Sequence, residues 1–167
     1  TCFLSWRRPD PTTPRILLTQ SAIHPAPDSR SLISGDFLMT SNAPDTSDIQ
    51  PLFNELGLAE SVLKAVDELG YETPSPIQAR IIPHVLAGQD VLGQAQTGTG
   101  KTAAFALPSL HHFATNIKPR VPYGCRMLVL SPTRELAAQI AEKFRDYGKF
   151  LGLTVNCVFG GMPIFTQ

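Results

Sequence analysis

The sequence predicts an α/β fold, a parallel sheet covered by helices on both faces, on three observations. Short apolar runs at 90–95, 125–130 and 154–159 alternate with stretches of helical period. Those helical stretches begin or end on recognisable stops, such as Ser75-Pro76 at a start and Gly70 or Gly88 at an end. Apolar residues make up 43% and charged residues 17% of the 167, a balance that can bury a core. This length accommodates one domain, or one domain with a tail, and not two.

Residues 1–49 are expected to be a disordered tail. Residues 1–50 contain four Arg, five Asp and six Pro but no Lys or Glu, and no apolar period is sustained. An organelle transit peptide is disfavoured there, because Asp10, Asp28 and Asp36 and the prolines spoil an amphipathic helix. Met39-Thr40-Ser41-Asn42 offers a start just before the composition shifts, so residues 1–38 are expected to be upstream or non-native sequence. From residue 50 a domain is expected. Val62, Leu63, Val66 and Leu69 mark a helix that stops at Gly70, and a second helix starts at Pro76, with a kink expected at Pro83. A strand at 90–95 leads through a glycine-rich turn into the apolar helix of Ala103–Leu107. A strand at 125–130, a long helix from Thr133 to about Lys149 and a strand at 154–159 complete the series.

Fourteen basic residues balance fourteen acidic ones, so the whole-chain field gives no reason to expect a polyanion. Cys2, Cys125 and Cys157 are odd in number and lack CxxC spacing, which argues against a disulfide scaffold or zinc site and for a reducing, cytoplasmic setting. No apolar run approaches the eighteen residues of a membrane span, and no membrane partner is expected. The oligomeric state is not encoded in these features.

The chemistry is concentrated in Ala95-Gln96-Thr97-Gly98-Thr99-Gly100-Lys101-Thr102, which matches the phosphate-binding loop pattern except that alanine stands at the first glycine position. The required context, a strand before and a helix after, is present. Glycines let backbone N–H groups converge on phosphate oxygens, and the helix directs its positive end at the same anion. Lys101 would neutralise the β and γ phosphates, and the Thr102 hydroxyl would reach a Mg²⁺ ion bridging them. The plain alternative is a glycine turn with an exposed lysine.

The segment Gly70-Tyr71-Glu72-Thr73-Pro74-Ser75-Pro76-Ile77-Gln78, followed by that loop, resembles the Q motif and motif I of DEAD-box RNA helicases. Phe53 stands at the family's offset for an isolated upstream aromatic, seventeen residues before Gly70. The resemblance covers about residues 51–167 and implies a RecA-like ATP-binding domain of which this is the N-terminal part. It also implies a nucleotide site that includes Phe53, Tyr71, Ser75 and Gln78. The Gln78 amide can grip adenine through N6 and N7, where guanine presents O6 instead, and Phe53 would stack on the base. The ordinary readings are a solvated Gln and a Phe in the core.

Ser131-Pro132-Thr133-Arg134-Glu135-Leu136 follows the second strand and resembles motif Ia, which implies RNA contact by Pro132, Thr133, Arg134 and Glu135. Backbone N–H groups, a hydroxyl and a guanidinium at one helix start suit a phosphodiester backbone and read no bases. The same residues also read as a capped helix start, with Thr133 as cap and Glu135 complementing the dipole. Gly160-Gly161 matches the family's glycine doublet, where bare backbone approaches RNA.

No Asp-Glu-Ala-Asp run occurs in these residues. In the family that the sequence resembles, those carboxylates would complete the metal shell and orient water, and a second domain would supply an arginine. The resemblance implies ATP·Mg²⁺-dependent RNA unwinding for a longer parent. The 167 residues themselves are expected to bind adenine nucleotide without hydrolysing it. Another phosphate-loop ATPase, such as a nucleotide kinase or transporter subunit, is disfavoured by Phe53, Gln78 and the Pro132–Glu135 run occurring together.

Overall fold

Among the described residues, apolar periodicity downstream of Pro51 is realised as four α-helices in the computed structural model of the chain. The structure describes residues 51–117 and 124–161, and the backbone of three earlier strands, β1 (Cys2–Ser5), β2 (Ile16–Thr19) and β3 (Leu38–Met39). A 3-10 turn at Phe53–Leu56 precedes helix α1 (Glu60–Glu68), which buries Val62, Ala65 and Val66 and is followed by Gly70 at φ 74°. Helix α2 (Pro76–Leu86) starts on Ser75 and ends before Gly88, as its flanking residues predict. Its helical assignment continues through Pro83, which has no N–H to donate. Strand β4 (Val91–Gln94) then leads to helix α3 (Lys101–Thr115), strand β5 (Leu128–Val129) and helix α4 (Arg134–Tyr147).

Helix α3 is the centre of the core. Every residue from Ala103 to Leu110 is buried, and the alanines at 103, 104 and 106 let α2 and α4 approach closely. Phe105 of α3 meets Phe144 of α4 with ring centroids 5.8 Å apart, and Ile81 and Ile82 of α2 are completely buried. Each such side chain contributes about 1.5–3 kcal/mol on transfer from water. The buried Ser109 hydroxyl donates back to the Phe105 carbonyl at 2.7 Å, so it adds no unpaired polar group to this core.

The sheet departs from expectation. Its order is β3-β4-β2-β1-β5, with β4 parallel to both β2 and β3 but β1 antiparallel to β2 and β5, so it is mixed and not all-parallel. Three of its strands fall within 1–49, where no regular structure is expected; the other residues of that stretch lie outside those described. Ile16-Leu17-Leu18 is an apolar run of strand type, outweighed in the sequence by the surrounding prolines. The strand expected at 125–130 shortens to Leu128–Val129. On this edge Met127 and Val129 pack on the core while Leu128 and Leu130 stay 47% and 45% exposed, so helices cover one face of β5 and not both.

Residues 154–159 form no ladder with the five strands. They are nevertheless part of a stretch with the burial alternation of a strand, with Leu151, Leu153, Val155, Cys157 and Phe159 turned inward. This segment lies along α4 instead, with Arg145 Nη2 donating to the Val155 carbonyl at 2.9 Å and Cys157 Sγ 3.5 Å from the Ala137 carbonyl. An apolar alternation specifies an extended chain; the sheet edge it would join is a separate matter.

Candidate functional site

Strand β4 delivers the chain to the loop Ala95–Thr102, and α3 begins at once with Lys101 as its first residue. Gly98 and Gly100 take φ of 80° and 83°, values that L side chains rarely adopt. At Gly100 a second constraint applies, because a Cβ would collide with Gln78 Nε2 and crowd Ser75 Oγ at 3.3 Å. Only glycine allows the start of α2 to seat against the loop this closely.

That seat is made of three hydrogen bonds. The Ser75 N–H donates to Gln78 Oε1 at 2.9 Å, one arm of a capping box at the start of α2. Gln78 Nε2 donates to the Gly100 carbonyl at 3.0 Å, and Ser75 Oγ donates to the Thr99 carbonyl at 2.8 Å. Gln78 is 8% exposed, so it is not the solvated side chain of the ordinary reading. A primary amide has two donors and two acceptor lone pairs, and these bonds use one of each. The remaining pair is the donor–acceptor combination that matches adenine N7 and N6.

Within the loop, Lys101 Nζ donates to the Ala95 carbonyl at 2.7 Å and also to the Gln96 carbonyl, while Thr99 Oγ1 donates to Gln96 at 2.9 Å. The ammonium thus lies over the oxygens at the entry of the turn, neutralised in part by carbonyl dipoles. Thr97 and Gly98 are exposed at the loop tip, and Thr102 is half-buried in the first turn of α3. Gathered glycines, a cation and a helix N-terminus make a cradle for a phosphate chain. Thr102 supplies a hydroxyl suited to a divalent cation. Among the described residues no cluster of His, Cys, Asp or Glu could hold a metal by itself.

The other expected residues distribute differently. Phe53 packs with the core and is 5% exposed. Tyr71 is 40% exposed and pairs with Tyr147 of α4, centroids 6.3 Å apart. Burial, with the neighbouring Tyr71 adding to it, holds the Tyr147 phenol well above its ordinary pKa.

At the second candidate region Thr133 caps α4, its Oγ1 accepting from the Leu136 N–H at 3.2 Å, so the capping reading holds. Glu135 occupies the first turn, and Pro132 precedes the cap, both exposed. Arg134 is brought against the glycine doublet, with Nη2 donating to the Gly160 carbonyl. Neither this contact nor the Ser75 and Gln78 bonds to the loop were legible as contacts, although Ser75-x-x-Gln78 is a capping-box spacing visible in the sequence.

Over 115 residues the chain is 51% identical to DEAD-box ATP-dependent RNA helicase 36 of Arabidopsis thaliana, covering 69% of this chain and 22% of that protein. Over 122 residues it is 49% identical to ATP-dependent RNA helicase DeaD of Escherichia coli, covering 72% and 19%. The chain therefore spans about a fifth of the length of the curated relatives it matches. Among solved structures it resembles the RNA helicase Prp28 of Chaetomium thermophilum bound to ADP, with a TM-score of 0.58 and 39% identity over 69% of this chain and 28% of that one. No helix among the described residues is long and apolar enough to cross a membrane. The profile of the DEAD/DEAH box helicase family matches residues 75–167, more than half of the sequence and all of the phosphate loop, and the chain belongs to that family.

Proposed function

We propose that residues 50–167 are the N-terminal part of a RecA-like domain and form the adenine-nucleotide site of an ATP-dependent RNA helicase. The observation that carries this reading is the bond from Gln78 to Gly100, which ties a base-reading amide to the phosphate loop and sets their spacing. Gln78 selects adenine through its remaining donor and acceptor. Phe53 stacks on the adenine face, and Ser75 and Tyr71 complete the segment that holds Gln78 in place. Backbone N–H groups of Gly98, Thr99 and Gly100 and the Lys101 ammonium hold the phosphates, which requires Lys101 to leave the Ala95 and Gln96 carbonyls. Thr102 would hold Mg²⁺, which when bound neutralises charge on the β and γ phosphates.

RNA is the second partner in this reading. Thr133, Arg134 and Glu135 at the start of α4, with Pro132 before them and Gly160-Gly161 beside them, present backbone to a phosphodiester chain without reading sequence. A reducing cytoplasm is the proposed setting, in keeping with Cys125 and Cys157 being free thiols.

These residues contain no Asp-Glu-Ala-Asp. That favours a second statement for the chain by itself: it binds adenine nucleotide without turning it over. The test is RNA-stimulated phosphate release by a longer chain that includes those carboxylates, compared with the 167 residues. Turnover only in the longer chain supports the reading, and a longer chain inert toward ATP and RNA contradicts it.

A further inference from the structure

Residues 155–160 and helix α4 run antiparallel. Arg145 bonds the Val155 carbonyl, Cys157 meets the Ala137 carbonyl, and Arg134 bonds the Gly160 carbonyl. Between the outer contacts the helix advances eleven residues and the extended segment five. At helical and extended rises both cover about 16 Å, so the two arginines engage the segment without stretching it. Arg134 is the contact at the end where the segment turns, and the turn is Gly160-Gly161.

The turn is built around this arginine. Gly161 has φ of 76°, and a Cβ there would stand 3.0 Å from Arg134 Nη2. A cation in the first turn of a helix faces the positive end of the dipole, and the Gly160 carbonyl gives the guanidinium a partner there. We propose that Arg134 is a positioning residue, which pins the glycine turn to the N-terminus of α4 so that the two backbone surfaces meet an RNA phosphodiester as one unit. This deepens the RNA reading above and rests on it. It differs from the expectation that Arg134 itself neutralises a phosphate.

The two roles have different salt signatures. Loss of a phosphate-contacting cation lowers the slope of log affinity against log salt by about one, whereas loss of a positioning contact weakens binding at constant slope. The test is fluorescence anisotropy of a labelled single-stranded RNA decamer, titrated at several salt concentrations with the wild-type chain, Arg134→Ala, Gly161→Ala and the double variant. Arg134 and Gly161 are exposed and lie outside the core; Gly161→Ala carries the backbone cost of φ 76°, so retention of the fold is checked by circular dichroism for each variant. Each single variant is expected to bind about tenfold more weakly with an unchanged slope, and the double variant no worse than the weaker single one. Hydrogen exchange at 160–161 in the RNA-free chain is expected to quicken in Arg134→Ala. A slope reduced by about one, additive losses, or unchanged exchange at the turn would overturn the positioning role while leaving RNA binding intact. Failure of the wild-type chain to bind RNA would overturn the RNA reading and this inference together.

Discussion

Gln78 Nε2 donates to the Gly100 carbonyl at 3.0 Å, across twenty-two residues, and this bond joins the start of α2 to the start of α3. Gln78→Ala removes it along with the acceptor for the Ser75 N–H. A net hydrogen bond is worth about 1 kcal/mol, so the variant is expected to lose about 1–2 kcal/mol in urea unfolding. Amide exchange in 96–101 should quicken beyond the global change. Gln78→Glu keeps the acceptor for Ser75 but sets a carboxylate oxygen against the Gly100 carbonyl, and should be at least as destabilised. Equal loop protection in all three proteins would show that the bond does not order the loop.

Lys101 has two tasks that pull in opposite directions on nucleotide binding. In this structure it holds the Ala95 and Gln96 carbonyls, and in the proposed complex it holds phosphates. Lys101→Ala should weaken ADP and ATP binding by roughly ten- to a hundredfold, the scale of a charged hydrogen bond, with the fold retained by circular dichroism. Nucleotide affinity equal to wild type would remove Lys101 from the phosphate site.

Gly100 tests close approach. Gly100→Ala places a methyl group at φ 83° and against Gln78 Nε2, so strain and collision act together. A loss of about 1–3 kcal/mol is expected, with nucleotide affinity reduced as α2 is pushed from the loop. Gly98→Ala meets nothing within 4 Å and should show only the milder backbone cost. If the two variants unfolded at the same urea concentration, the contact at Gly100 would carry no weight.

His111 supplies a pH prediction. Burial lowers its pKa below 6.5, and its buried Nδ1 has no hydrogen-bond partner among the described residues. The unfolded chain therefore binds the proton more readily than the folded one. Stability from this group is complete above about pH 6.5 and is lost as pH falls through the depressed value. His111→Phe should flatten that part of the stability–pH curve between pH 7 and 5; an unchanged curve would assign the acid sensitivity elsewhere.

Much of this architecture was legible in the residues. Helices α1 and α2 were marked by period and by Ser75, Pro76, Gly70 and Gly88, all local signals. The loop was legible because Gly98, Gly100, Lys101 and Thr102 carry a motif whose context is also local. The sheet was not, since the partners of β4 lie at residues 16–19 and 38–39, where prolines outweighed short apolar runs. Residues 154–159 have a strand's alternation, but pairing depends on which edge is available, and this segment lies against α4. Phe53 and Arg134 show the same limit at the level of side chains. How deeply Phe53 is buried and that Arg134 meets the Gly160 carbonyl depend on what the fold brings near, which residue type alone does not give.

The central claim is that an amide held by the phosphate loop reads adenine. Calorimetric titration of the wild-type chain and Gln78→Ala with ADP and with GDP tests it most directly. Wild type is expected to prefer ADP by about tenfold or more, the equivalent of about 1.4 kcal/mol, and Gln78→Ala to lose that preference. Equal affinity of the wild-type chain for ADP and GDP, or a preference that survives in Gln78→Ala, would contradict it.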